Sequence, residues 1–141
     1  GEVMLNILNL NKAYSAFVND GNIINPRLIA GDTELDMKNI ISKEVADEVF
    51  GFLLKVVEDE QGTGHDAVLP GKTIAGKTGT AEIPSANNPN ELDELGWFVA
   101  IDQSENTPYI TSMMIENVKG RGGSHVSIGK VREFIRDYTS N

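Results

Sequence analysis

Apolar residues recur at helical spacing in three stretches of the chain, and between the second and third the period shortens. In residues 5–20, Leu10, Tyr14 and Phe17 fall on one face with Ala13 beside them. Asn6 stands where an N-cap belongs, and Gly21 follows the pattern. Residues 43–59 carry a clearer stripe of Val45, Val49, Phe52, Leu53, Val56 and Val57, with Ser42 as N-cap and Gly51 as the one weak position. Residues 125–139 repeat the pattern with Ile128, Val131, Phe134, Ile135 and Tyr138. These three stretches predict helices. Before the last of them, residues 73–82, 96–102 and 108–117 read as strands. Trp97 to Ile101 is continuously apolar, the pattern of a strand covered on both faces. The short polar segment 103–107 joins the second and third strands as a hairpin, whereas Pro84 to Leu95, rich in Asn, Pro and acid, reads as a surface loop. Residues 21–29 run extended, with Pro26 arguing for an edge or connection. Residues 30–41 read as loop or short irregular structure, and residues 58–65 break the second helix. The fold class is therefore α+β: N-terminal helices, a three-stranded antiparallel meander, and a C-terminal helix packed on it. The chain contains no internal repeat and no low-complexity tract.

A chain of 141 residues suffices for one core. Its 12 Lys and Arg against 21 Asp and Glu give a net charge of −9, and no basic cluster offsets it. Nucleic acid is therefore excluded as a partner. No run approaches the length of a membrane span. The chain starts with Gly rather than Met and shows no signal peptide, so it is expected to be cut from a longer protein. With no cysteine, disulfides, thiol catalysis and Cys-based metal sites are excluded. His65 and His125 stand alone without a third ligand at metal spacing, so neither a metal nor a cofactor is expected. Gly120-Arg121-Gly122-Gly123 lacks phosphate-loop spacing and reads as a flexible turn. Met113 and Met114 read as core filler, and Glu82 as an exposed strand end.

The candidate chemistry lies in Ala75-Gly76-Lys77-Thr78-Gly79-Thr80-Ala81-Glu82. On a strand, Lys77 and Gly79 share one face and Thr78 and Thr80 the other. Gly79 has no Cβ, so another group can lie against the backbone there. A backbone N–H at Thr80 is then able to face an anion or a developing oxyanion. The same residues also fit an ordinary surface strand with a solvated lysine, and Gly76 and Gly79 also fit bulge or packing positions.

A Lys-Thr-Gly triplet is one of three motifs of penicillin-recognising serine enzymes. The run from Gly76 to Glu82 resembles the transpeptidase domain of high-molecular-weight class B penicillin-binding proteins. The likeness extends over nearly the whole chain. Gly1-Glu2-Val3 into Asn6, with a helix ending at Tyr14-Ser15-Ala16-Phe17 and then Asn19-Asp20-Gly21-Asn22, is similar to the family's helix after a Gly-Gln-Gly segment. Asn25-Pro26-Arg27-Leu28, the helix ending at Val56-Val57, Gly62-Thr63-Gly64, and Gly96-Trp97-Phe98 follow in the family's order.

The resemblance implies that residues 1–141 are the C-terminal portion of such a domain and that the meander is part of a five-stranded sheet. It implies catalytic roles for Lys77, Thr78 and Gly79. The Lys77 ammonium would lower the pKa of a neighbouring hydroxyl or orient a substrate carboxylate. The Thr78 hydroxyl would hold the carboxylate of a β-lactam or of a D-Ala-D-Ala terminus, and the Thr80 N–H would form half of an oxyanion hole. The implied partners are peptidoglycan stem peptides, β-lactams and the missing N-terminal half of the domain. The implied location is the outer face of the bacterial cell membrane, on a parent anchored there.

The family also needs Ser-x-x-Lys and Ser-x-Asn upstream of Lys-Thr-Gly, and neither occurs before Lys77. A hydroxyl without an adjacent base does not attack an acyl carbon at neutral pH, so the chain alone is expected to be inactive. Ser127-Ile128-Gly129-Lys130, Ser85-Ala86-Asn87 and Ser104-Glu105-Asn106 match the motifs in letters but lie downstream. Ser127 and Lys130 are expected a turn apart on the surface of the last helix. The edge of the 108–117 strand is expected to self-associate or to take up a companion fragment. Two other readings stay open: part of a β-lactam-sensing receptor, and an unrelated acidic α/β binding module in which the triplet is coincidence.

Overall fold

The computed structural model describes residues 4–29, 31, 35–85, 88, 90–104 and 108–138. The chain opens with α1 (Ile7–Tyr14), capped by Asn6, whose Oδ1 accepts from the Asn9 N–H at 2.8 Å. The predicted helix over 5–20 is shorter than its pattern: after Tyr14 the backbone tightens into a 3-10 turn, Ser15–Val18. The Ser15 hydroxyl explains the break, because it donates to the Lys12 carbonyl and accepts from the Ile24 N–H. Two short strands, β1 (Ile23–Ile24) and β2 (Leu35–Met37), pair antiparallel. β2 falls inside the stretch read as loop, where a three-residue strand leaves too little alternation to detect.

Helix α2 (Lys43–Glu58) starts on Ser42, whose Oγ accepts from the Val45 N–H. Its buried line is Ala46, Leu53 and Val57, while Val45 and Phe52 from the predicted stripe are exposed. The expectation for those two fails because the true contact line runs through Ala46, a residue with little hydrophobic signal. A turn and a second 3-10 segment, His65–Ala67, lead to the sheet.

The sheet consists of β3 (Ile74–Pro84), β4 (Leu92–Asp102) and β5 (Tyr109–Ile115) in the order β3-β4-β5, antiparallel throughout. The meander is the one predicted. Part of the predicted surface loop 84–95 is instead a continuation of the β3–β4 ladder, with Ile83 opposite Asp93 and Pro84 opposite Leu92. Proline at the last position of the ladder is tolerated where the strand ends. Helix α3 (His125–Tyr138) closes the fold, buried through Ser127, Ile128, Val131 and Ile135. Phe134 and Tyr138, read as core, are exposed; they stack on each other, and Tyr138 meets Tyr109 edge-on.

The strand faces separate two apolar clusters. Ile74, Phe98 and Ala100 join Ile128, Val131 and Ile135 of α3, with Val57, Ala67 and Leu69. On the opposite face Ala75 and Ile101 join Leu53, with Tyr14, Phe17, Phe50 and Ile110 packed against them. β4 is covered on both faces, as its unbroken apolar run predicts: Phe98, Val99, Ala100 and Ile101 are inaccessible to solvent. Burial raises the pKa of the Tyr14 phenol. Where β3 begins and β4 ends, buried Asp102 accepts from the Ser104 N–H at 3.0 Å and from the Ser104 hydroxyl, and lies 3.6 Å from the Lys72 ammonium.

Candidate active site

β3 presents its four chemistry-bearing residues in two directions. Ladder partners share a face, so Thr78, opposite Phe98, and Thr80, opposite Gly96, point to the α3 side. Lys77, opposite Val99, and Gly79, opposite Trp97, point to the other. This is the division read from the sequence. Among the described residues β3 pairs with β4 alone, so its second edge carries no strand.

Lys77 is exposed, and its ammonium turns back along the strand to donate to the Thr78 carbonyl at 3.0 Å. The cation is thus held near the backbone rather than free in solvent. Thr78 is 9% accessible, and its hydroxyl lies 2.9 Å from the hydroxyl of Thr63. Thr80 is exposed; the turn after β5 passes close to it, such that a Cβ added at Gly123 would lie 3.6 Å from Thr80 Oγ1.

At Gly79 the group that lies against the backbone comes from the protein itself. The space a side chain would fill there is taken by the Trp97 indole, with Cε2 1.9 Å from an ideal Cβ. The glycine admits a tryptophan of the same protein, across the strand. An aromatic ring over a strand glycine restores contact that the glycine lacks. Gly76 has a similar reason: its Cβ would meet Phe98 Cζ at 2.5 Å on the α3 face.

Thr63 is the site residue that the sequence reading left without a role. In the sequence it stands within Gly62-Thr63-Gly64, and a hydroxyl in a glycine loop carries no signal of which strand it will meet. The loop is pinned to the end of α2: the Gly64 N–H donates to the Val56 carbonyl at 2.9 Å and His65 Nδ1 lies 3.0 Å from the Val57 carbonyl. His125, at the start of α3, pairs through Nδ1 with Asp66 at 2.9 Å, tying α3 to this loop.

The look-alike motifs separate from the site. Ser127 is not on the surface as expected; it is fully buried, and its hydroxyl donates to the Gly96 carbonyl at 2.9 Å. Lys130 pairs with Glu133 on the exposed side. Ala86, Asn87, Glu105 and Asn106 of the Ser-x-Asn matches, and Gly1 to Val3 at the start, lie outside the described residues. Two cavities, of about 310 and 270 Å³, are lined by Ile24–Ile29 and Gly31, and by residues around Phe17, Lys43, Phe50 and Gln103. Neither is lined by Lys77 or Thr78. Among the described residues no group of three His, Asp or Glu is positioned for a metal, and no helix is long and apolar enough to cross a membrane.

The chain matches the family described as "Penicillin binding protein transpeptidase domain" over residues 1–136. It is 40% identical over 136 residues to Penicillin-binding protein 3 of Bacillus subtilis (strain 168), a match covering 94% of this chain and 20% of that protein. It is 27% identical over 113 residues to the Probable peptidoglycan D,D-transpeptidase PbpC of Pseudomonas aeruginosa, covering 80% and 20%. The chain therefore spans about a fifth of the length of these curated relatives. Among solved structures, the TP domain of Burkholderia pseudomallei penicillin-binding protein 3 superposes with a TM-score of 0.74 at 23% identity, over 96% of this chain and 43% of that one. Penicillin binding protein 3 of Mycobacterium tuberculosis, complexed with aztreonam, gives 0.72 at 23% identity, over 96% and 36%. At these identities the likeness speaks for the fold.

Proposed function

Since this chain belongs to the penicillin-binding protein transpeptidase domain family, we propose that it supplies one wall of a serine D,D-transpeptidase site that cross-links peptidoglycan and is acylated by β-lactams. The observation that carries the reading is the disposition of β3. A lysine ammonium held at the strand backbone and a threonine hydroxyl stand on adjacent residues of β3, which among the described residues has one edge without a partner strand. In the proposed reaction a serine oxygen attacks the penultimate D-alanine carbonyl, the bond to the terminal D-alanine breaks, and an amine then takes the acyl group. Thr78 binds the substrate carboxylate through its hydroxyl. Lys77 supplies the positive field that favours both that carboxylate and an ionising serine. The Thr80 N–H stabilises the tetrahedral oxyanion, and Gly79 keeps β3 straight beneath Trp97.

In this proposal the attacking serine and its base lie outside this sequence: no Ser-x-x-Lys precedes Lys77, and Ser127 of the downstream match is committed to a buried carbonyl. The opposite wall of the groove and the strands that pair with the free edge of β5 come from the same source. Without them that edge is where the chain associates with itself. The site works outside the cell membrane, where stem peptides are found. The unrelated-module reading is set aside by the family match over residues 1–136.

Labelling with a fluorescent penicillin tests this. The full-length protein should take up one label, a Lys77→Met variant should acylate far more slowly, and residues 1–141 alone should take up none. Stoichiometric labelling of the 141-residue chain would overturn the assignment of the nucleophile. Failure of the full-length protein to label would overturn the function.

A further inference from the structure

We infer that Thr63 is a positioning residue that fixes the direction in which the Thr78 hydroxyl donates; this rests on the proposed role of Thr78 as the carboxylate-binding group. The two hydroxyl oxygens are 2.9 Å apart, and geometry alone lets either donate. Chemistry breaks the symmetry. A carboxylate accepts hydrogen bonds and donates none, so Thr78 must direct its O–H at the ligand. Its lone pair is then the group that meets Thr63, and Thr63 is the donor. The result is a relay, Thr63 O–H to Thr78 oxygen and Thr78 O–H to carboxylate. Each bond in such a chain polarises the next.

A positioning residue must itself be held, and Thr63 is. The Gly62 N–H donates to the Asp59 carbonyl at 2.8 Å and the His65 N–H to the Gly62 carbonyl at 3.1 Å. The Gln61 N–H is tied to Asp59 Oδ1 at 2.9 Å. A Cβ at Gly62 would stand 2.3 Å from the Val56 carbonyl oxygen, so the loop packs against the end of α2 at a distance that only glycine permits. Thr78 in turn is nearly buried, so its hydroxyl has few other partners to turn toward. Without Thr63 the Thr78 hydroxyl loses the neighbour that fixes its rotation.

The test uses the full-length protein, a fluorescent penicillin, and the second-order rate constant of acylation. Thr63→Val keeps the shape and removes the hydroxyl; Thr63→Ala removes it without a replacement methyl; Thr63→Ser restores it. Val and Ala are each expected to slow acylation by about three- to ten-fold, the range of one hydrogen bond. Ser should return it to the parent value. The double variant Thr63→Val/Thr78→Val should be no slower than Thr78→Val alone, because a relay has nothing to position once its second member is gone. Losses that multiply in the double variant would overturn the inference, as would an unaffected rate in Thr63→Val and Thr63→Ala, or a Ser variant as slow as Val. A loss in Thr78→Val with none in the Thr63 variants leaves the carboxylate role standing and removes Thr63 from it. No loss in Thr78→Val removes both.

Discussion

Gly79→Ala probes one contact above all, because the atoms nearest the Cβ it introduces belong to a single side chain. The three nearest atoms are Trp97 Cε2 at 1.9 Å, Cζ2 at 2.1 Å and Nε1 at 2.3 Å, all of one indole. Ordinary contact begins near 3.4 Å, so the ring must retreat by roughly 1.5 Å. The backbone at 79 is not in the left-handed region, and alanine itself adds no strain. Overpacking of this kind costs about 1–3 kcal/mol. Replacing a strand glycine returns about 0.5–1 kcal/mol by restricting the unfolded chain. The net loss should be about 1–2 kcal/mol, or roughly 3–6 °C in melting temperature for a domain of this size. Trp97 is the sole tryptophan of the sequence, so its emission reports directly on the displaced ring. The expected result is lower urea stability together with a red-shifted native emission. In a Trp97→Ala background the same alanine should cost nothing. Unchanged emission and stability in Gly79→Ala, or an equal loss with Trp97 already removed, would refute the account of why glycine stands at 79.

Ser127→Ala should lower stability by about 1–3 kcal/mol, because the Gly96 carbonyl loses its buried donor, while penicillin labelling of the full-length protein is preserved. Denaturant melts beside a labelling gel would check both, and lost labelling in a folded variant would make Ser127 the nucleophile. Lys72→Met removes the ammonium 3.6 Å from the buried Asp102 carboxylate and should lower stability, read as a lower urea midpoint. Burial raises the Tyr14 pKa, so the folded chain keeps this phenol's proton longer than the unfolded chain. That stability is complete below the ordinary value of 10.0 and is lost as pH rises through the raised one; Tyr14→Phe should flatten the alkaline arm of a stability–pH curve.

The sheet was legible because β4 is written as five consecutive apolar residues with polar turns around them, and α2 because Ser42 marks its start. The errors share a cause. Val45, Phe52, Phe134 and Tyr138 are apolar at helical spacing yet exposed, and Ala46 and Ser127 lie buried without a hydrophobic signal. A helical stripe gives the direction of a face to within about one residue, and the neighbouring surface decides which side chains it covers. The site divided the same way. Lys77, Thr78 and Thr80 follow from strand alternation, which is a property of the local chain. Thr63 and Trp97 reach the site from 15 residues upstream and from the next strand, and their contacts exist only once the loop and the ladder are closed.

The paired aromatics of β4 explain the paired glycines of β3. Trp97 and Phe98 are adjacent, so they point to opposite faces; each lies across a glycine, Trp97 over Gly79 and Phe98 over Gly76. Lys77 and Thr78 sit between the two glycines on β3. The two contacts are unequal. Phe98 is inaccessible to solvent, and a Cβ at Gly76 would also stand 2.9 Å from the Val99 carbonyl oxygen, a backbone atom that cannot swing aside. Trp97 is partly exposed, and the three atoms nearest a Cβ at Gly79 all belong to its ring. Gly76→Ala should therefore cost more than Gly79→Ala, by about 1 kcal/mol or more, since buried overpacking has no side chain to relax into solvent. Paired urea titrations of the two variants decide it. A Gly76→Ala variant as stable as Gly79→Ala would mean that the strand carrying Lys77 and Thr78 is not fixed by its aromatic neighbours.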